Sequence, residues 1–401
     1  MIAGPRRRLK YLVAINSRSL PEQTPSEFAI RYLDIGAVGR GALAAEPEVT
    51  TFGEAPSRAR RLVVEGDTIV STVRTYLRAV WPVRGDTDGL VVSTGFVVLS
   101  PGPMLESRYL GWVAQSDVVI EEVVARSVGV SYPGINGLEI GDIRIPVPPL
   151  REQRSIADYL DAETARIDHV AGLVGRRAEA LAEHLAVSTE ELIGDERWNR
   201  EPLKRVARYR EGPGVLSGDI RDSGVPLLRI VNLVNDTVVL EDLRYLDADM
   251  VRSRWPHMRV HAGELIVSGS ATSGLPVVVP DEAEGAVPWT GLIRMWPSTA
   301  RLDRDYLRMF LGSSLFLDQV NLLRTGIGLQ HWGPSHLAQV WIPMPPVDHQ
   351  RAIARTLSLA REVVRRARAS SEAEVERLLE RRRALITAAV SGQLEIPAVA
   401  A

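Results

Sequence analysis

IPVPPLREQRSIADYL, from Ile145 to Leu160, returns 197 residues later as IPMPPVDHQRAIARTL, from Ile342 to Leu357. Pro146/Pro343, Pro148/Pro345, Pro149/Pro346, Gln153/Gln350, Arg154/Arg351, Ile156/Ile353 and Leu160/Leu357 are identical pairs. The match continues upstream at the same offset. GDTIVS from Gly66 answers GELIVS from Gly263, Tyr109-Leu110 answers Tyr306-Leu307, and Gly129 answers Gly326. RYLDI from Arg31 resembles RIVNL from Arg229, one residue out of step. Several matches in order at one offset mark a tandem duplication with copies of about 195 residues.

The texture of each copy changes at its proline cluster. Before it lie short runs rich in Val, Ile and Thr, separated by Gly and Pro: RLVVE, DTIVSTV, LVVSTGFVVLS and DIRIPV, then VPLLRIVNLV and LPVVVP in the second copy. One short helix is expected over MLESRYLGWVAQSDVVIEEVV and another over DRDYLRMFLGSSLFLDQVNLL. Each front part therefore reads as a mixed α/β globule of about 150 residues.

After the prolines comes a long helix. Leu160, Thr164, Ile167, Ala171, Val174, Ala178, Leu181, Leu185 and Leu192 keep a 4-3 spacing, one seam position large and the other mostly small. The second helix offers Ile353, Leu357, Ala360, Val364, Ala367, Leu378, Leu385 and Ala389. Asp348 is positioned to cap it, Ser371 and Glu374 form a capping-box pattern that predicts a break near Ala369, and Gly194 and Gly392 end the two helices. Such helices either pack on their own globules or on each other. A seam in both copies, with small residues interleaved, favours mutual packing.

Composition bounds the chemistry. The 401 residues are 45% hydrophobic, enough for two or three domains with real cores. There is no cysteine, so thiolate metal sites, disulfides and cysteine nucleophiles are excluded. No long apolar run and no signal-peptide pattern is present, so a cytoplasmic location is expected. The net charge of −2 argues against a generally basic surface, yet charge is uneven: residues 1–78 hold 12 basic and 8 acidic groups, residues 79–150 hold 4 and 8. All basic residues except Lys10 and Lys204 are arginine. A GC-rich genome is the expected source of most of that bias, ahead of functional selection. Arginine is also the side chain that binds guanine edges and phosphates through two parallel hydrogen bonds.

Catalytic patterns are missing. There is no GxxxxGK[ST] phosphate loop, no HExxH, no GxSxG and no metal-ligand cluster among the seven histidines. The Pro-Pro segments read Val147-Pro-Pro-Leu150 and Met344-Pro-Pro-Val347, without the polar acceptor and aromatic of an adenine methyltransferase motif. Asp67 and Glu264 sit in Gly-Asp and Gly-Glu turns leading into strands, where a structural role is favoured over a nuclease one.

IPVPPLREQRSIADYLDAETARID at Ile145–Asp168, repeated in part at Ile342–Leu357 and followed by RRRALITAAVSGQLEI at Arg381–Ile396, resembles the specificity subunits of type I restriction-modification systems. GDTIVSTVRTYLRAV and GVSYPGINGLEIGDIRIPVPPL also look like that family, so the resemblance covers nearly the whole chain. The second copy departs from the pattern: it has His349 where the first has Glu152, and it lacks an ETARID counterpart. The resemblance implies an α+β fold with an internal pseudo-two-fold repeat. Target-recognition domains at residues 1–150 and 195–347 would be separated by two spacer helices, 151–194 and 348–392, forming an antiparallel coiled coil, with a tail at 393–401. Leu160, Ile167, Val174, Leu181, Leu357, Val364, Leu378 and Leu385 would form the coiled-coil seam.

The same resemblance implies a non-catalytic DNA-binding subunit reading a bipartite, asymmetric target. Its partners would be double-stranded DNA and two methyltransferase subunits that carry S-adenosylmethionine; two ATP-dependent motor-nuclease subunits can join them. Candidate DNA contacts are Arg58, Arg60, Arg61, Arg74, Arg78 and Tyr132 in the first copy, and Arg252, Arg254, Arg259, Ser270, Thr272, Ser273, Gln330 and His331 in the second. No metal or catalytic residue is expected. The competing readings are a self-contained DNA methyltransferase or nuclease, which lacks its motifs, and a coiled-coil scaffold that binds proteins alone.

Overall fold

A computed structural model describes residues 4–234, 236–269, 276–323 and 332–396. The chain falls into two compact units, residues 1–175 with 372–401, and residues 176–371. Each unit thus contains one end of both long helices, which run unbroken as Leu150–Gly194 and Val347–Ser391.

In the first unit one antiparallel sheet orders the strands Val13–Ile15, Phe96–Pro101, Thr68–Ser71 and Val80–Pro82. A second sheet orders Glu48–Thr51, Ala29–Leu33, Leu90–Ser93 and Ala59–Leu62, with Ala29–Leu33 parallel to Leu90–Ser93. The second unit repeats the plan. Ala207–Glu211, Leu292–Pro297, Leu265–Ser268 and Val277–Val278 make its antiparallel sheet. Ile220–Arg221, Arg244–Leu246, Val225–Leu228 and Val287–Pro288 make its mixed one, again with one parallel pair. The central strands are buried on both faces, which is why they read as continuous Val/Ile/Leu runs rather than alternating ones.

The repeated Pro-Pro motif joins strand to helix, and its buried glutamine explains the repetition. Gln153 is fully buried; its Oε1 accepts from the Glu106 amide at 2.8 Å, and its Nε2 donates to the carbonyls of Met104 and Pro148 at 3.0 and 2.8 Å. Gln350 does the same with the Asp303 amide and the carbonyls of Arg301 and Pro345, each at 2.8 Å. Beside each glutamine a buried tyrosine donates its hydroxyl to the preceding strand: Tyr109 to the Pro146 carbonyl and Tyr306 to that of Pro343. Burial pushes both phenols above their ordinary range, so they remain donors.

The helix ends enter the cores of their units. Ala157 and Leu160 share the first core with Ile386, Ala389 and Val390, and Asp168 pairs with Arg382 at 3.1 Å. Ile193 shares the second core with Ile353, Ala354 and Leu357. The start of one helix thus lies with the end of the other in each unit, an antiparallel pairing. Both expected modes of packing, on the globules and on each other, are realised together.

Four expectations require correction. The second helix does not break near Ala369: residues 347–391 are continuous, and Ser371 is half-buried within it. Asp348 does not cap that helix, because the helix starts one residue earlier and the carboxylate, 95% exposed, faces Arg351 at 3.6 Å. The single short helix of each copy is two, Ser107–Gln115 and Asp117–Arg126, then Arg304–Leu311 and Ser314–Leu323. Ser116 adopts an extended backbone and turns its hydroxyl back onto the Val113 carbonyl, which ends the first of them. Leu192, placed in the seam by spacing, is 36% exposed, and Ile193 is buried in its stead.

Candidate nucleic-acid interface

The turn residues Asp67 and Glu264 are structural in both units. Asp67 is buried, accepting from the Val64 amide at 2.9 Å and pairing with Arg18 at 2.5 Å. Glu264 accepts from the His261 amide and pairs with the buried Arg294 at 2.7 Å. Each turn carboxylate satisfies free backbone N–H groups and neutralises one guanidinium, leaving no free acid. Among the described residues no group of three or more His, Asp or Glu side chains could hold a metal ion.

Past the strand Thr68–Ser71 the chain makes a tight surface turn. Arg74 and Arg78 both take the left-handed conformation, at φ of 50° and 54°, on either side of a single 3-10 turn, Thr75–Leu77. Non-glycine residues there carry strain of about 1 kcal/mol or more each, so surrounding contacts must fix them. They do. Val73 and Val128 both bridge to Gly134, the Ile135 amide donates to the Thr72 carbonyl at 2.9 Å, and the Thr75 and Ser127 hydroxyls are 2.8 Å apart. Turn 73–78 is thereby crossed by loop 128–134.

This crossing brings three candidates together. The Arg74 guanidinium lies over the Tyr132 ring at 5.1 Å, and Arg78 pairs with Glu121 at 2.8 Å. Arg58 borders the same place, because its carbonyl takes the Thr94 amide while the Gly95 carbonyl takes that of Thr72. Its side chain is held by the Tyr32 hydroxyl at 3.1 Å and Asp34 at 3.0 Å, contacts that keep the guanidinium above its usual pKa. Arg60 stacks on Phe52 at 4.5 Å. Arg61 is half-buried, its Nε and Nη1 have no hydrogen-bond partner among the described residues, and desolvation lowers its pKa. Arg60 and Arg61 lie on the strand Ala59–Leu62, apart from the crossing.

In the second unit the described residues repeat one of these hydrogen bonds, the Trp332 amide donating to the Gly269 carbonyl at 3.0 Å as the Ile135 amide does to that of Thr72. Ser270, Thr272, Ser273, Gln330 and His331 lie outside the described residues. Arg252 and Arg254 stand on a separate helix, Ala248–Arg254, where Arg252 pairs with Asp249 and Arg254 approaches Asp219 at 3.9 Å. Arg259 offers its carbonyl to Arg294, and its own Nε is buried without a partner among the described residues.

No family model matches the chain. Curated relatives do. It is 23% identical over 258 residues to the type I restriction enzyme MjaVIII specificity subunit of Methanocaldococcus jannaschii, covering 58% of this chain and 59% of that one. It is 25% identical over 294 residues to the EcoKI specificity subunit of Escherichia coli K12, covering 64% and 59%. The matches span about three-fifths of those relatives' lengths. Among solved structures, one described as the basis of complex assembly and conformational transition of the type I R-M system superposes with a TM-score of 0.77 at 23% identity, over 97% of this chain and 98% of that one. The HsdS subunit of Thermoanaerobacter tengcongensis superposes at 0.53 and 24% identity, over 97% of both chains. Its homologues are type I restriction specificity subunits.

In this fold the eight seam residues are placed unevenly. Leu160, Ile167, Leu357 and Val364 are buried, while Val174, Leu181, Leu378 and Leu385 are half-buried. Thr164, at a small seam position, is buried and donates its hydroxyl to the Leu160 carbonyl within the helix, so its polar atom costs little. Sequence reading missed Thr75, Ser127 and Gly134, which build the crossing, and Tyr76 and Val130, which are exposed upon it. The available signal was apolar residues in an otherwise turn-like segment, VGVSYPG at 128–134.

Proposed function

We propose that this chain is the non-catalytic DNA-sequence-recognition subunit of a type I restriction-modification complex. The observation that supports the reading is one two-sheet plan built twice, each copy latched to a long helix by the same buried glutamine contacts. Each unit reads one half of a bipartite target, and because the two units differ in sequence, the halves differ. Two methyltransferase subunits dock on the helical region and hold S-adenosylmethionine; motor-nuclease subunits join where the locus encodes them. No helix among the described residues is long and apolar enough to cross a membrane, which fits work on cytoplasmic DNA.

The test is an exchange of residues 195–345 for the same region of a relative, followed by sequencing of methylated host DNA. One half of the methylated sequence changes and the other stays. A change in both halves, or in neither, would remove the modular reading. Binding of the full chain to duplex DNA should also weaken steeply with salt, as phosphate neutralisation requires; salt-insensitive behaviour would favour a protein scaffold.

A further inference from the structure

Resting on that reading of the chain as a DNA-recognition subunit, we propose that Arg74 reads a guanine in the half-site of the first unit, with Tyr132 as its positioning residue. The arginines of this region differ in what already holds them. Arg58 is committed to Tyr32 and Asp34, Arg78 to Glu121, and Arg60 to the face of Phe52. Arg74 has no carboxylate partner among the described residues; what it has is the Tyr132 ring beneath it. A ring contact offers the guanidinium no carboxylate or carbonyl acceptor, so its N–H fork is not committed to one. Those N–H groups are the edge that matches the paired O6 and N7 acceptors of guanine in the major groove.

The backbone argues for a base contact rather than a phosphate contact. A phosphate can be met by a mobile surface arginine, because charge attraction tolerates many geometries. Arg74 instead sits at a strained left-handed position, fixed by the Gly134 bridges and the Thr75–Ser127 hydrogen bond. Strain of this kind persists where a direction has to be kept. The same two segments expose Tyr76 at 54% and Val130 at 102%, an apolar shoulder of the sort that excludes water around a base edge or meets a thymine methyl. Arg78, alike in backbone but tied to Glu121, serves as the internal comparison.

The experiment selects bound sequences from a pool of random duplexes with the full chain, wild type beside Arg74→Ala, Arg74→Lys, Tyr132→Ala and Tyr132→Phe. Thermal melting is recorded for each, and Arg74→Gly, which suits the left-handed backbone, replaces any Arg74 variant that fails to fold. In Arg74→Ala or Arg74→Gly, preference for guanine falls about tenfold at one base pair of one half-site and is unchanged elsewhere. Arg74→Lys, with charge but no fork, does not restore it. Tyr132→Phe keeps the preference and Tyr132→Ala loses part of it at the same base pair. Uniform weakening across all sequences, with a salt slope lower by about one, would make Arg74 a phosphate contact and overturn the proposal. So would an Arg74→Ala selection identical to wild type. If wild type itself enriched no sequence, the recognition reading would fall, and the Arg74 assignment with it.

Discussion

Gln153→Glu destabilises the first unit by several kcal/mol at neutral pH, and the loss shrinks as pH falls. The substitution keeps shape and volume and changes one donor group into an acceptor. Gln153 is fully buried, and its Nε2 donates to the carbonyls of Met104 and Pro148. A carboxylate there would set an anionic oxygen against two carbonyl oxygens. Leaving a buried polar group unsatisfied costs about 1–3 kcal/mol, more when charge is involved. A total of about 4 kcal/mol corresponds to roughly 8–16 °C of melting temperature for a unit of this size. The introduced carboxyl would have its folded-state pKa raised by burial and by the two carbonyl oxygens that face its second oxygen. With the folded pKa above the unfolded one, the folded state binds the extra proton, so stability recovers as pH drops through the folded pKa and is lost above it. Gln153→Leu removes the same hydrogen bonds without charge and should cost about 3 kcal/mol with no such pH dependence. Gln350→Glu should act alike on the second unit. Melting curves from pH 5 to 8 check this; a shift under 2 °C for Gln153→Glu would show that the glutamine is dispensable.

The second large effect concerns the helix pair. Ile167→Asp with Val174→Asp puts two carboxylates, one buried and one half-buried, into the seam. Unpaired charge in such a place costs several kcal/mol. The helix segment between residues 160 and 180 should lose protection from hydrogen exchange. Leu173→Asp is the control: Leu173 is 48% exposed, so its stability should change by no more than about 0.5 kcal/mol. Equal behaviour of the double variant and the control would remove the seam.

Much of the architecture was legible because it was written twice. The proline pairs, the glutamines and the 4-3 spacing mark the strand-to-helix junction and the long helices without reference to distant contacts. What failed was what distance decides. A capping pattern at Ser371 and Glu374 predicts a helix start, but in a helix whose flanking turns are anchored in both units, continuing costs less than breaking. Leu192 fell out of the seam because 3.6 residues per turn drift about 20° per heptad against a 3.5 repeat, and four heptads from Thr164 the inward position has passed to Ile193. Among the candidate arginines, sequence could not separate Arg58 from Arg74. Asp34 and Tyr132, which distinguish them, are 24 and 58 residues away along the chain.

The glutamine latches bond to main chain alone. Gln153 meets atoms of Met104, Glu106 and Pro148; Gln350 meets the equivalent atoms of Arg301, Asp303 and Pro345. Methionine has become arginine and glutamate has become aspartate between the copies, yet the geometry is the same. A junction that tests only the path of the backbone is blind to mutation in the segments it clasps. Recombination that breaks upstream of each glutamine can therefore bring in a domain of unrelated surface and still find the clasp intact. Drift can then act on the domain surfaces of such a lineage while the junction between domain and helix stays still.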